Sequence, residues 1–317
     1  MSKLVIKGGK LGGQQLFAVS DDGKPSGSSA GAGRVLGARL RQLREENNLR
    51  LSDVVRAGVV GSVATLSRIE NALTPQREEK VLALARHYGV SDTESLEIMC
   101  ELARKSRVDG WWSAFHDAVP GWMERLVSVE ALAKSVRTYQ MQYIPGLVQT
   151  APYTRALMQA HQDPVMNTAQ VQRSIEQRVE VRRIRQSTLQ SPSPPQYYAV
   201  MDESVLMRRV GGAAVMREQL RHLYNLEENR ENVHLRVIPV SRGAEALPPA
   251  GSITYLSFPA GREADMLYLE VPDGGTYVTN PGDMSRYKIA LTRLWDLAAG
   301  RADSMALLEK HIKELQE

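Results

Sequence analysis

From Val35 onward, leucines at 36, 40 and 43 recur at i, i+4 and i+7, with Arg39, Arg41 and Arg44 set between them. That spacing gathers the leucines into one stripe, so residues 34 to 47 are predicted to form an amphipathic helix whose apolar face needs a partner. The residues that follow supply it. Asn47-Asn48 stops the first helix, Leu51 to Ala57 reads as a short second one, Gly58 to Gly61 as a turn, and Ser62 as the N-cap of a third helix through Asn71. Leu66 and Ile69 face inward at i, i+3. Thr74-Pro75 opens a fourth helix with Val81, Leu82, Leu84 and Ala85 as its buried stripe, ending near Gly89; a fifth follows the Ser91-Asp92 cap and runs to Arg107. Residues 34–107 are therefore expected to form a compact five-helix bundle.

Composition breaks mark the limits of that bundle. Residues 21–33 (DDGKPSGSSAGAG) have almost nothing to bury, so residues 1–33 read as a flexible N-terminal tail and linker. Past Asp109, Trp111, Trp112, Phe115 and Trp122 crowd into a dozen residues, as at a hydrophobic junction between domains. Residues 128–160 look mainly helical, broken at Pro145-Gly146, and the charged stretch 167–190 reads as a long exposed helix. Strands are predicted at Tyr197–Met201, Val233–Pro239, Gly251–Phe258, Met266–Val271 and Thr276–Val278, with helices at 212–229, 281–299 and 303–316. The fold class is thus mainly α: the bundle, then a larger α+β domain at 108–317 with a small, mostly antiparallel sheet.

Charge and cysteine content exclude several functions. The formal net charge of +4 is too small to announce a nucleic-acid binder, but it is unevenly placed: residues 1–33 carry +2, 34–107 carry +3 and 108–317 carry −1. Cys100 is the only cysteine, which rules out an intrachain disulfide and a CxxC zinc or redox site. Lys3, Lys7 and Lys10 lie among broken apolar pieces rather than ahead of a signal-peptide core, and no stretch reaches the roughly 18 apolar residues of a membrane span. A cytoplasmic protein without membrane partners is expected.

The strongest functional constellation is helix, short turn, helix over residues 49–71. A recognition helix is short, offers small or polar side chains to base edges from its first turn, and is held by an apolar underside. Ser62, Val63, Ala64 and Thr65 form such a turn above Leu66 and Ile69. An ordinary helical bundle shows the same periodicity, so periodicity alone leaves both readings open.

The runs LGARLRQLREEN, LRLSDVV and LSRIEN resemble the Xre-type (lambda-repressor-like) helix-turn-helix. Further on, WWSAF, VRTYQMQYIPGLVQT with Tyr153 to Leu157, MDESVLMRRVGG, VMREQLRHL, VHLRVIPVSRGA and LYLEVPDGGTYV are similar in order and spacing to the C-terminal domain of the WhiJ-like group of actinomycete regulators. The resemblance covers residues 35–317. It implies a lambda-repressor-like bundle and a transcription factor that binds double-stranded DNA, with a C-terminal domain often paired with a small acidic protein encoded nearby, in the manner of an antitoxin.

Residue by residue, the resemblance implies an internal ion pair between Arg44 and Glu70. It places the base-reading turn at Ser62, Val63, Ala64 and Thr65, puts Ser67 and Arg68 on the outer face, and sets Arg50 and Ser52 toward phosphates. The family's usual Thr-Gln at the start of the second helix is Arg50-Leu51 here, so a phosphate contact survives but bidentate amide chemistry does not. The turn is one residue longer than usual, and the first turn of the recognition helix holds no Arg, Asn or Gln. Each strong bidentate contact would supply ~1–3 kcal/mol of discrimination, so moderate specificity assisted by homodimerisation is expected. The competing expectation is an antitoxin-like interaction module that sequesters a small partner, with vestigial DNA binding.

Other motifs favour bland readings. Gly27-Ser28-Ser29-Ala30-Gly31 fits GxSxG, and Gly31-Ala32-Gly33 suggests a dinucleotide loop, but both sit in the linker without the strand that each chemistry needs. His87, His116, His161, His222, His234 and His311 lack ligand spacing, so neither a metal site nor a cofactor is expected. Asp202-Glu203 reads as a strand-to-helix cap balanced by Arg208 and Arg209 rather than a paired-carboxylate site. With no acid/base or nucleophile constellation left, the chain is not expected to be an enzyme.

Overall fold

The computed structural model describes residues 30–107, 111–115, 118–119, 121–160, 168–242, 251–259, 265–271, 274–278 and 280–315. The expected tail, and most of the linker, lie outside these residues. Helix α1 spans Ala30–Glu46, starting four residues ahead of the expected position. Ala32 is buried there, and Gly31 lies so close to the backbone of Ser128 in α6 (Gly121–Glu130) that a side chain at 31 would collide with it. The small residues that read as linker are what let the first turn of α1 lie against the second domain.

The bundle continues with α2 (Leu51–Arg56), α3 (Val63–Glu70), α4 (Glu78–His87) and α5 (Thr93–Lys105). Leu36, Leu40, Leu66 and Leu84 are fully buried at its centre, the positions selected by the 3.6-residue period. Gly37 is a second close approach: a Cβ there would sit 2.6 Å from the Glu70 carbonyl oxygen and 2.9 Å from that of Ile69. Both neighbours are backbone at the end of α3 and cannot swing away. Gly37→Ala is therefore expected to destabilise the bundle by about 1–3 kcal/mol despite alanine's better helix propensity, measured as a lower urea midpoint.

In the second domain, a 3-10 turn at Trp111–Phe115 packs beside α6 and α8 (Thr168–Ser187), with Trp111 edge-on to Trp112 and Phe115. These rings join Ala118, Val119, Val127 and Val181 in a small apolar cluster that, among the described residues, includes none from the bundle, so they pack within the second domain and not between the two as expected. The remaining elements are β1 (Ser135–Gln140), α7 (Ala151–Ala160), β2 (Gln196–Asp202), α9 (Ser204–Met207), α10 (Gly212–Asn229), β3 (Val233–Ile238), β4 (Ile253–Ser257), β5 (Met266–Val271), β6 (Gly274–Val278), α11 (Pro281–Leu297) and α12 (Arg301–Glu314).

The sheet corrects one expectation: residues 128–160, expected to be mainly helical, also hold strand β1. The sheet is six-stranded and mixed, in the order β3-β2-β1-β4-β5-β6, with three of its five pairings antiparallel, in line with the expected mostly antiparallel sheet. β1 runs parallel to β2, and β2 to β3, while β1/β4, β4/β5 and β5/β6 are antiparallel. β1 is central, with Val136 and Thr138 buried on one face and Tyr139 on the other, so it lacks the clean polar alternation of a half-exposed strand. Helical crossovers between β1, β2 and β3 impose the parallel pairs. One sheet face is covered by α11, against Tyr139, Val200, Ile253 and Leu267; the other carries Val136, Tyr197, Leu235 and Leu256 against the helices of the larger core.

Helix α8 also differs from its expected exposure. Ile175 and Val181 are buried, and so is Arg185, whose guanidinium makes a two-pronged pair with Glu130 at 2.7 and 2.9 Å. A charge-rich sequence went inward because one arginine found a carboxylate there.

Candidate nucleic-acid interface

The surface around α3 is built from its underside outward. Leu66, Ile69 and Glu70 are buried, which leaves Val63, Ala64 and Arg68 exposed and Ser62, Thr65 and Ser67 half-buried along the outer face. Ser62 caps the helix: its Oγ accepts from the Thr65 backbone N–H at 3.1 Å and lies 2.9 Å from Thr65 Oγ1. Arg68 Nε donates to the Ala64 carbonyl at 3.2 Å, folding its stem along the helix, and Ser67 Oγ lies 3.3 Å from Asn71 Nδ2. Thus the six residues from Ser62 to Arg68 singled out in the sequence share one exposed flank, with part of their polar capacity committed locally.

Arg50 and Ser52 are exposed at the start of α2. The Arg50 backbone N–H is held by Asp53 Oδ2 at 2.8 Å, leaving the guanidinium outward, while Asp53 Oδ1 also meets Arg56 at 3.2 Å. Between the helices, Val60 is buried as a plug, and Lys80 Nζ donates to the Val59 carbonyl at 2.8 Å. Sequence reasoning passed over Lys80 and Arg77, exposed cations at the start of α4. The signal for them is two basic residues flanking the acidic first turn of α4 in the helix after the recognition helix.

Orientation of α3 is set from below. Arg44 Nε donates to Glu70 Oε1 at 2.7 Å and its Nη2 to Oε2 at 3.0 Å, while Nη1 reaches the Leu49 carbonyl at 2.8 Å. Both side chains are buried, and the hydrogen bond to Glu70 is the main cause raising the Arg44 pKa. Arg41 adds a longer contact to Glu70 at 3.4 Å and a hydrogen bond to Asn71 Oδ1 at 2.6 Å. Buried Gln76, also missed from sequence, donates to the carbonyls of Ile69 and Gly33 at 2.7 and 3.2 Å and ties the end of α3 to α1. Its signal is weak, since a lone Gln in a loop rarely marks a core position.

Elsewhere the structure gathers groups that the sequence keeps apart. Asp202 Oδ1 accepts from the Ser204 N–H at 2.9 Å, the expected strand-to-helix cap. Glu203 finds its partners at the other end of the domain and not in Arg208 and Arg209: His311 Nε2 lies 3.1 Å and Lys310 Nζ 3.9 Å from Glu203 Oε1. The second His311 nitrogen is 2.9 Å from Glu314. Among the described residues, no group of three or more His, Cys, Asp or Glu side chains is arranged to hold a metal ion, and no helix is long and apolar enough to cross a membrane.

Two family models match the chain. The family described as Helix-turn-helix domain (HTH_31) matches residues 35–97, and Domain of unknown function (DUF5753) matches residues 123–310. No curated protein and no solved structure matches it.

Proposed function

We propose, for a chain that belongs to the DUF5753 family and carries a helix-turn-helix domain in front of it, the role of a sequence-specific DNA-binding transcriptional regulator. It acts in the cytoplasm as a homodimer of the actinomycete Xre type with a WhiJ-like C-terminal domain, which places a small protein or ligand in control of DNA binding. The observation that carries this reading is the α2–turn–α3 unit, whose outer face exposes Val63, Ala64 and Arg68 while its underside is held by Leu66, Ile69 and the Arg44–Glu70 pair. In such a unit the first turn of α3 enters the major groove: Ser62 and Thr65 reach base edges, and Val63 and Ala64 offer apolar contact to thymine methyls. Arg50, Ser52 and Arg68 meet phosphates. Phosphate contacts would supply much of the affinity, so binding falls steeply with salt, and two bundles side by side double a positive field that is modest in one.

The test is a gel shift with the full chain and genomic fragments that it selects. Arg68→Ala is expected to weaken binding across all sequences and lower the salt slope by about one, as for a lost phosphate contact. Thr65→Ala, which removes a single hydroxyl contact, should cost about 0.5–1.5 kcal/mol on the preferred fragment only. Unchanged binding by both variants rules out the site.

One observation favours a second reading. Thr65 Oγ1 and Arg68 Nε already have partners within α3, and Val63 and Ala64 carry no polar group. An antitoxin-like module that sequesters a small acidic partner needs no base readout. Copurification of such a partner by a full chain that binds no DNA decides for that alternative.

A further inference from the structure

A cavity of about 210 Å³ lies between α8, α6 and the sheet face formed by β1, β4 and β5. Arg178, Arg182 and Arg185 enter it from one face of α8, at i, i+4 and i+7. Their partners differ. Arg185 is neutralised by Glu130 in the two-pronged pair already described. Among the described residues, the Arg182 side chain makes one hydrogen bond, from Nη1 to Gln149 Oε1 at 2.8 Å, an oxygen that also accepts from the Thr154 hydroxyl at 3.0 Å. Arg178 touches the Met158 sulfur at 3.9 Å, and its buried Nε has no hydrogen-bond partner among the described residues.

Among the described residues, the charge on the lining does not balance. Glu130 is taken by Arg185, which leaves Glu270, at the open rim on β5, against both Arg178 and Arg182. Burial, followed by the neighbouring Arg185, lowers the Arg182 pKa to about 10, so the group stays charged at neutral pH while bearing a desolvation cost that one neutral amide oxygen does not offset. Packed interiors place arginines where carboxylates or phosphates meet them, commonly through two parallel N–H bonds. The rest of the lining mixes apolar side chains, among them Met123, Leu126 and Val181, with the polar Thr138, Gln140 and Thr254.

We propose that this cavity is a binding site for a small organic monoanion, a carboxylate with a compact apolar body, held by Arg178 and Arg182. One surplus positive charge matches one carboxylate, and the volume, about seven times a water molecule's share of the liquid, suits a body the size of a single ring. Met123, Leu126 and Glu130 line the cavity from α6, the helix whose Ser128 abuts Gly31 of α1, so the site lies one helix away from the bundle.

Calorimetric titration of the full chain with benzoate, and with benzamide as its neutral isostere, tests the proposal. Benzoate is expected to bind at least about tenfold more tightly than benzamide, and Arg182→Met and Arg178→Met should each remove that preference. A second readout needs no ligand. Gln149 Oε1 keeps its bond from Thr154 when Arg182 is gone, so Arg182→Met is expected to raise the melting temperature of the free protein by about 2–4 °C, whereas an arginine of structural value would lower it on removal. Equal binding of the two probes, no saturable benzoate binding up to ~20 mM, or undiminished benzoate preference in both variants overturns the proposal.

Discussion

Glu70→Leu is expected to destabilise the helical bundle by about 3–5 kcal/mol, because it leaves the buried Arg44 guanidinium without the carboxylate that receives two of its N–H groups. The transition assigned to the bundle in a calorimetric scan of the full chain should fall by more than ~10 °C. Arg44→Met does comparable damage from the other side by stranding Glu70, although Arg41, 3.4 Å away, gives the carboxylate some relief. The double replacement Arg44→Met with Glu70→Leu is the informative case. Removing both charges removes both desolvation costs, leaving chiefly the lost hydrogen bond to the Leu49 carbonyl, so most of the stability should return. Damage in the double variant as large as the sum of the two single losses would mean that the two residues contribute independently and not as a pair. What the double variant should not recover is DNA affinity, because the angle of α3 then rests on Leu66, Ile69 and the Gln76 tie to α1, without the charged pair that fixes it from below.

Residues 34–107 were legible for a physical reason. Their helices are short, one-sided and separated by caps and turns, so the 3.6-residue period, the Ser62 cap and the Asp92 cap locate them without tertiary information. The same holds for α10, found at the expected 212–229 because Gly211 and Gly212, both at positive φ, mark its start. Legibility failed where burial is two-sided or where charge goes inward. Strand β1 has apolar residues on both faces and follows a leucine-containing helix, so its sequence reads as more helix. Helix α8 presents arginines and glutamates all round, and nothing local says that Arg185 meets Glu130, 55 residues earlier. On the candidate interface, the outer flank of α3 follows from spacing, but Lys80 and Gln76 join the motif through contacts between helices that spacing cannot encode. The cavity is least visible of all, since its walls come from seven helices and strands spread between α6 and β5.

Within α8, successive turns should respond to the same substitution with opposite signs. Arg185→Met strands the carboxylate of Glu130, whose side chain is only 4% exposed, and is expected to cost the second domain about 3–5 kcal/mol. Tyr197 brings no countercharge either: burial and the nearby Glu130 hold its phenol above its usual range, and a tyrosine is neutral or anionic, never cationic. Adding Glu130→Leu to Arg185→Met should restore stability to the wild-type level or above it, since well-packed apolar side chains replace a buried pair at little cost. Arg182, one turn earlier, lacks a dedicated carboxylate, so its replacement by Met is expected to stabilise the free protein. Thermal scans of Arg182→Met, Arg185→Met and the Arg185→Met/Glu130→Leu double variant separate an arginine that holds the fold from one held in reserve for something else. If Arg182→Met and Arg185→Met both lower the melting temperature to a similar extent, the two arginines share a structural role and the distinction between them disappears.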